Sequence, residues 1–318
     1  MTRAAAPDAV RTVAVVGTGV IGASWAAHLL AHGLDVVASD PAPGAERRLR
    51  ADVDAHWPVL ARRGLVAGSG TDRLRFAADP AEAVSGADFV QENAPEREDV
   101  KDRLLAVLDE AAAPHVVIAS SSSGLLPSRI QAGAAHHPER VLVGHPFNPV
   151  HLIPLVEVVP GAATAESAVR QAMAFYTAVG KRPIRLRQEL AGHVANRLQA
   201  ALWREAYALV ERGAASVADI DTAIAYGPGL RWALLGPFAN QHLSGGPAGL
   251  AHVLEHLGPP MQRWWDDLGA PTLTPELSRA VIAGTDAALA GIDRAELTAH
   301  RDALLDELIT AKQDTVLP

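Results

Sequence analysis

The chain has 318 residues, 49% apolar and 20% charged, which allows about two domains with sizeable cores and excludes a disordered composition. Its net charge is −8 and no Lys/Arg run forms a basic patch, so nucleic acid is not expected as a partner. The absence of cysteine excludes disulfides, thiolate nucleophiles and Cys-ligated metal centres, and no metal site is read elsewhere.

Met1 to Val10 holds no long apolar segment, so no secretory signal is expected. Thr12-Val13-Ala14-Val15-Val16 reads as a buried strand, and a helix of small residues is expected from about Val20 to His32. Asp35 to Ser39 is the next strand. Ala45 to Arg63 follows as a long helix whose pairs Arg47–Arg48 and Arg62–Arg63 read as solvated faces. A helical segment at Pro80–Ser85, a strand at Phe89–Gln91 and a helix from Val100 to Ala112 come next. Val116–Ser120, Val141–Val143, Leu155–Val159 and Arg182–Leu186 are further strands. Such alternation implies a parallel sheet with helices on both faces. Beyond about Leu190 the strands stop. Val194 to Arg212 is an amphipathic helix with Leu198, Leu202, Ala206 and Leu209 at helical spacing. Ser216–Tyr226, Ala248–His256, Pro275–Ala290 and Arg294–Lys312 also read as helices. The expected organisation is an α/β domain over residues 1–189 and an all-α domain over 190–318. No stretch approaches the ~18 apolar residues of a membrane span, and a cytoplasmic setting is expected.

Gly17-Thr18-Gly19-Val20-Ile21-Gly22 follows the first strand and opens a helix, the context in which G-x-G-x-x-G carries meaning. Gly17 permits the tight turn, Gly19 lets a pyrophosphate approach the backbone, and Gly22 lets helix and strand pack closely. The helix start, at Val20 and Ile21, offers free N–H groups to phosphate. Asp40 ends the second strand, where a carboxylate accepts hydrogen bonds from ribose hydroxyls and repels a 2′-phosphate. The fold class is therefore a Rossmann-type doubly wound sheet followed by a helical domain, and the cofactor is NAD rather than NADP.

A second group of residues points to proton transfer. His145, in Gly144-His145-Pro146-Phe147-Asn148-Pro149, ends a strand, and Pro146 favours an extended conformation there. In such folds that places the imidazole at the cleft beyond the strand ends. Glu157 on the next strand is close enough to pair with it, and a carboxylate on one ring nitrogen orients the imidazole and stabilises its charged form. Ser120-Ser121-Ser122-Ser123-Gly124 ends a neighbouring strand.

Together with Gly192-His193-Val194-Ala195-Asn196-Arg197, these motifs resemble the L-3-hydroxyacyl-CoA dehydrogenase superfamily from about residue 12 to 290. The resemblance implies that His145 is the catalytic base and Glu157 its partner. It implies that Ser123 and Asn196 hold the substrate oxygen; spacing favours Ser123 within the serine run. Glu96 and Lys101, in Ala94-Pro95-Glu96-Arg97-Glu98-Asp99-Val100-Lys101, match a loop beside the nicotinamide. It also implies a site between the domains and a homodimer formed through the helical domain. A non-catalytic NAD-binding role would need none of His145, Glu157, Ser123 and Asn196.

The chain departs from the acyl-CoA enzymes at Gly227-Pro228-Gly229-Leu230-Arg231-Trp232, where they usually carry Gly-(Tyr/His)-Pro-Met. A guanidinium at Arg231 can grip a free carboxylate, which a thioester lacks. This element resembles the carnitine and gulonate 3-dehydrogenase branches. Ser122-Ser123-Gly124-Leu125-Leu126-Pro127-Ser128 and Trp203-Arg204-Glu205-Ala206 look closer to the former. A small hydroxy-carboxylate is the expected substrate. Trp232 and Phe147, then Tyr226, Phe238, Trp264 and Trp265, are candidate aromatic walls for a quaternary ammonium.

Overall fold

A computed structural model describes residues 10–313 and residue 315; most of the Met1–Val10 segment, read above as lacking a signal, lies outside them. Eight strands form one sheet: β1 (Thr12–Val16), β2 (Asp35–Ser39), β3 (Leu74–Phe76), β4 (Phe89–Glu92), β5 (Val117–Ser120), β6 (Val141–Pro146), β7 (Leu155–Pro160) and β8 (Arg182–Arg185). Their spatial order is β3-β2-β1-β4-β5-β6-β7-β8. The order reverses at β1, and the register sets Val16 beside both Ser39 and Glu92, and Glu92 beside Ser120. The turns after β1, β2, β4 and β5 therefore open on one edge of the sheet, where ligands bind in doubly wound folds.

The crossover helices are α1 (Val20–Ala31), α2 (Ala45–Arg63), α3 (Pro80–Val84), α4 (Glu98–Ala111), α5 (Pro127–Gln131) and α6 (Glu166–Ala178). Val13 and Val15 face one core with Trp25, Leu29, Phe175 and Tyr176; Ala14 and Val16 face another with Leu105, Leu108 and Ile130. Burial on both faces is why these strands read as unbroken apolar runs rather than alternating ones.

The expectation of a parallel sheet holds except at one pair. β7 runs antiparallel to β6, with His145 directly opposite Glu157. The connection over 147–154 is too short for the crossover of a dozen or more residues that a parallel pair requires. β3 is only three residues long and gave no periodic signal.

The chain divides into two compact units at Arg197/Leu198. Helix α7 (Ala195–Glu211) thus begins within the first unit and continues in the second. The rest of the second unit consists of α8 (Val217–Ala225), α9 (Pro228–Leu234), α10 (Pro237–Ser244), α11 (Gly249–Asp267), α12 (Pro275–Ala288) and α13 (Arg294–Gln313). Helices α9 and α10, each opening on proline, are additions to the sequence reading, and α11 runs past Pro259 and Pro260 beyond its expected end at His256. Among the described residues no helix is long and apolar enough to cross a membrane.

Candidate active site

The first glycine turn is built as its spacing requires. Gly17 has φ +89°, and a Cβ there would lie 2.7 Å from the Asn93 carbonyl. A Cβ on Gly22 would lie 1.9 Å from Gly17 O, whereas one on Gly19 would meet nothing within 4 Å. Gly19 is thus free of internal packing, as a residue reserved for a ligand's close approach must be. Helix α1 starts at Val20 with no acidic residue in its first turn, so its unpaired N–H groups present uncompensated positive potential.

Asp40 receives Thr18 N at 2.8 Å and Thr18 Oγ1 at 3.1 Å on one oxygen, and Ala42 N at 2.8 Å on the other. A cavity of about 670 Å³ runs along this edge, lined by Gly17, Gly19, Asp40, Asn93, Pro95 and Leu104 among others. The open Gly19, the bare helix start and the carboxylate at the β2 end fit NAD: phosphates on the N–H groups, ribose on Asp40.

The serine run resolves into different duties. Ser120 Oγ donates to Glu92 at 2.5 Å, Ser121 Oγ to Asn93 at 2.7 Å and Ser122 Oγ to Glu96 at 2.6 Å. Ser123 is exposed, and no described residue bonds its hydroxyl, so it is the one hydroxyl of the four left for a ligand. Glu96 also accepts Gly124 N at 2.8 Å and Leu125 N at 3.0 Å. Burial works to raise the Glu96 carboxyl, yet these donors and Lys101 hold it below its ordinary value. Glu96 therefore shapes the serine loop. Lys101 lies beneath the same loop, 1% exposed, with its ammonium on both Glu92 oxygens at 2.9 and 2.8 Å. The structure places this amine in the support of the 93–97 turn rather than at the groove surface.

His145 is 5% exposed, and its Nδ1 lies 2.9 Å from Glu157 Oε2. Glu157 is fully buried and its Oε1 accepts Val194 N and Ala195 N, both at 2.9 Å. Burial raises the Glu157 carboxyl, but the His145 contact and these two N–H groups outweigh it and hold the group low. An ionised Glu157 fixes the proton on Nδ1, leaving the Nε2 lone pair unbonded by any described residue. The ring packs edge-on to Phe147, centroids 4.9 Å apart. Asn196, half-buried in the first turn of α7, follows directly on the N–H groups that bind Glu157, within the same unit as His145.

Several supporting residues were invisible to sequence reasoning. Gln91 Nε2 donates to Gly144 O at 3.3 Å, and the buried Tyr176 hydroxyl donates to Gln91 Oε1 at 2.7 Å. Burial drives that phenol upward, keeping it a neutral donor. A Cβ on Gly144 would lie 2.0 Å from the Tyr176 hydroxyl, which explains the glycine before His145. Glu92 carried no signal beyond its adjacency to the Asn93–Glu96 turn.

Arg231 and Trp232 lie on α9 in the second unit, both exposed. Among the described residues the Arg231 guanidinium has no ion pair. Asn240 Nδ2 caps this helix on Arg231 O at 3.1 Å and Leu235 O at 2.8 Å. Among the described residues no group of three or more His, Asp or Glu could hold a metal ion.

A dinucleotide groove and an oriented imidazole opening at the same sheet edge define a dehydrogenase that removes a hydride and a proton from one alcohol. Residues 12–190 match the family model of the 3-hydroxyacyl-CoA dehydrogenase NAD binding domain, and residues 192–277 match that of its C-terminal domain. The chain belongs to this family and is an NAD-dependent dehydrogenase. It is 52% identical over 305 residues to an L-carnitine dehydrogenase of Streptomyces coelicolor, covering 96% of each chain. It is 51% identical to one of Pseudomonas aeruginosa, covering 96% of this chain and 95% of that one. Among solved structures, 5-formyl-3-hydroxy-2-methylpyridine 4-carboxylic acid 5-dehydrogenase, described as an NAD+-dependent dismutase, is 31% identical with a TM-score of 0.83, covering 96% of this chain and 99% of that one. The 3-hydroxybutyryl-CoA dehydrogenase of Escherichia coli is 30% identical with a TM-score of 0.65, covering 86% of this chain and 57% of that one.

Proposed function

We propose that this chain oxidises the 3-hydroxyl of L-carnitine, with His145 as the general base. The observation that carries the chemistry is the buried Glu157 on His145 Nδ1 at 2.9 Å; the substrate rests on the full-length similarity to L-carnitine dehydrogenases. NAD supplies the hydride acceptor when bound on the glycine turn. His145 Nε2 takes the hydroxyl proton as C3 becomes a carbonyl, and Glu157 stabilises the imidazolium that forms. A base positioned in this way contributes ~10²–10⁴-fold. The free Ser123 hydroxyl and the Asn196 amide donate to the substrate oxygen and align it.

Arg231 is the proposed partner of the carnitine carboxylate, and a guanidinium with no ion pair among the described residues supports that role. Trp232 and Phe147 offer aromatic faces for the trimethylammonium group, at ~0.5–2 kcal/mol per contact. The second unit buries Val253 and Leu277 but leaves Leu198, Leu202, Trp203, Leu254, Leu257 and Trp264 exposed. Apolar surface of that extent supports a homodimer through this unit, which sedimentation tests. A cytoplasmic setting accords with dependence on a nicotinamide pool.

The deciding assay follows NADH absorbance with L-carnitine, L-gulonate and 3-hydroxybutyryl-CoA as substrates. Turnover of carnitine, and its loss in Arg231→Ala and His145→Ala with NAD affinity kept, is expected. Turnover of the CoA ester alone would reject both the substrate and the role of Arg231.

A further inference from the structure

We infer that His193 is a positioning residue that ties the substrate-facing serine to the base; this rests on the reading of His145 as the base. His193 is fully buried, yet it follows Gly192 in a left-handed conformation, with φ +52° after φ +74°. Two successive residues of that kind form a sharp reversal just before α7, closed by His193 N on Leu190 O at 3.0 Å. A non-glycine residue there carries a conformational cost, which histidine bears better than most.

The reversal has two products. It aims the next two N–H groups, of Val194 and Ala195, at Glu157 Oε1. It also turns the His193 ring inward, where Nε2 donates to Ser122 O at 3.0 Å and the ring packs 5.2 Å from that of His145. One three-residue segment therefore holds the carboxylate behind the base with its backbone and the serine loop with its side chain. Ser122 is gripped from both sides, its hydroxyl by Glu96 at 2.6 Å and its carbonyl by His193. The peptide so fixed is the one that bears Ser123. Only the neutral tautomer protonated at Nε2 makes this bond while leaving Nδ1 bare, and among the described residues His193 Nδ1 has no hydrogen-bond partner. Burial lowers the pKa of this ring, and it outweighs the raising pull of the Ser122 carbonyl and of the Glu157 and Glu96 carboxylates, which accords with the neutral tautomer that the contacts require. The imidazole therefore acts as a fixed donor of proper length rather than as a second base.

The geometry separates the donor from the ring. His193→Phe keeps a ring against His145 and loses the donor. His193→Gln keeps a donor of matching reach, and His193→Asn tolerates the left-handed backbone but is too short to reach Ser122 O. With NAD saturating, the Phe and Asn variants are expected to lose about tenfold or more in kcat, with NAD affinity unchanged, because an interaction made in the transition state is lost. The Gln variant is expected to recover most of that loss. The decisive readout is coupling: in a Ser123→Ala background, His193→Asn should cost less than about twofold further, since a tether acts only through what it holds. Full additivity of the two substitutions, a Phe variant with parental kcat, or a Gln variant no better than Asn would overturn the assignment. Should the Phe variant not fold, the Gln–Asn comparison and the double variant decide alone. His145→Ala measured alongside keeps the two readings apart. Loss of turnover there with no effect at position 193 rejects the tether and leaves the base standing; full turnover there removes the base itself.

Discussion

Replacing Glu157 by Gln changes one atom and should remove nearly all turnover. The two carboxylate oxygens are not equivalent: Oε1 accepts Val194 N and Ala195 N at 2.9 Å, and Oε2 faces His145 Nδ1 at 2.9 Å. An amide of the same shape must put its oxygen at the Oε1 position. The reverse orientation sets an NH₂ against two N–H donors and leaves both unpaired in a buried site, at about 1–3 kcal/mol each. The NH₂ then points at Nδ1, which has to become an acceptor, and the ring proton moves to Nε2. That is the atom required to receive the substrate's proton. A base held in the wrong tautomer forfeits its ~10²–10⁴-fold contribution, which corresponds to roughly 2.7–5.4 kcal/mol at about 1.36 kcal/mol per decade. Steady-state kcat at saturating NAD is the assay, with cofactor affinity by titration as the control for folding. A variant that keeps more than about a tenth of parental kcat would refute the tautomer argument.

Four other substitutions probe the remaining structure. Gly19→Ala, whose Cβ meets nothing within 4 Å, should keep the parental melting temperature but weaken NAD binding by at least about tenfold, measured by titration. Gly22→Ala, whose Cβ would lie 1.9 Å from Gly17 O, should instead lower the melting temperature; equal melting temperatures for the two variants would contradict these glycine roles. Lys101→Met leaves Glu92 buried without its cation and should destabilise the fold by about 3–5 kcal/mol in chemical denaturation. Lys181 is buried over Trp25 at 5.1 Å, with its amine on Val150 O and Ile153 O. Burial first, and Arg63 second, lowers its pKa from 10.5 to about 7. Between those values the unfolded chain carries a proton that the folded chain does not. This lysine's contribution is therefore full above pH 10.5 and is lost as pH falls toward about 7, with a slope of at most ~1.4 kcal/mol per pH unit. Lys181→Met should flatten denaturation free energy against pH over that window, and an unchanged slope would refute the assignment.

Much of the architecture was legible because its signals are local. An apolar run, a glycine turn and a terminal Asp40 lie within one stretch of chain, and each element is specified by neighbours a few residues away. The same is true of the long helices after Leu190. The short β3, the proline-opened α9 and the antiparallel β7 were not legible; three residues carry no period, and strand direction depends on what the connection can span. His145 and Glu157 could be named from motif and spacing, but not their relation to the backbone of residues 194 and 195, which are far away in sequence and adjacent only after folding.

The sequence by itself determined which residue types were on hand: glycines for a phosphate turn, an imidazole at a strand end, an acid on the next strand and four serines in a row. Tertiary structure alone decided which serine is left unbonded, which oxygen of Glu157 meets the imidazole, and that His193 spans the two loops. Those outcomes depend on hydrogen-bond partners dozens of residues apart, and a donor or acceptor has no fixed role until the packed interior has assigned its partner.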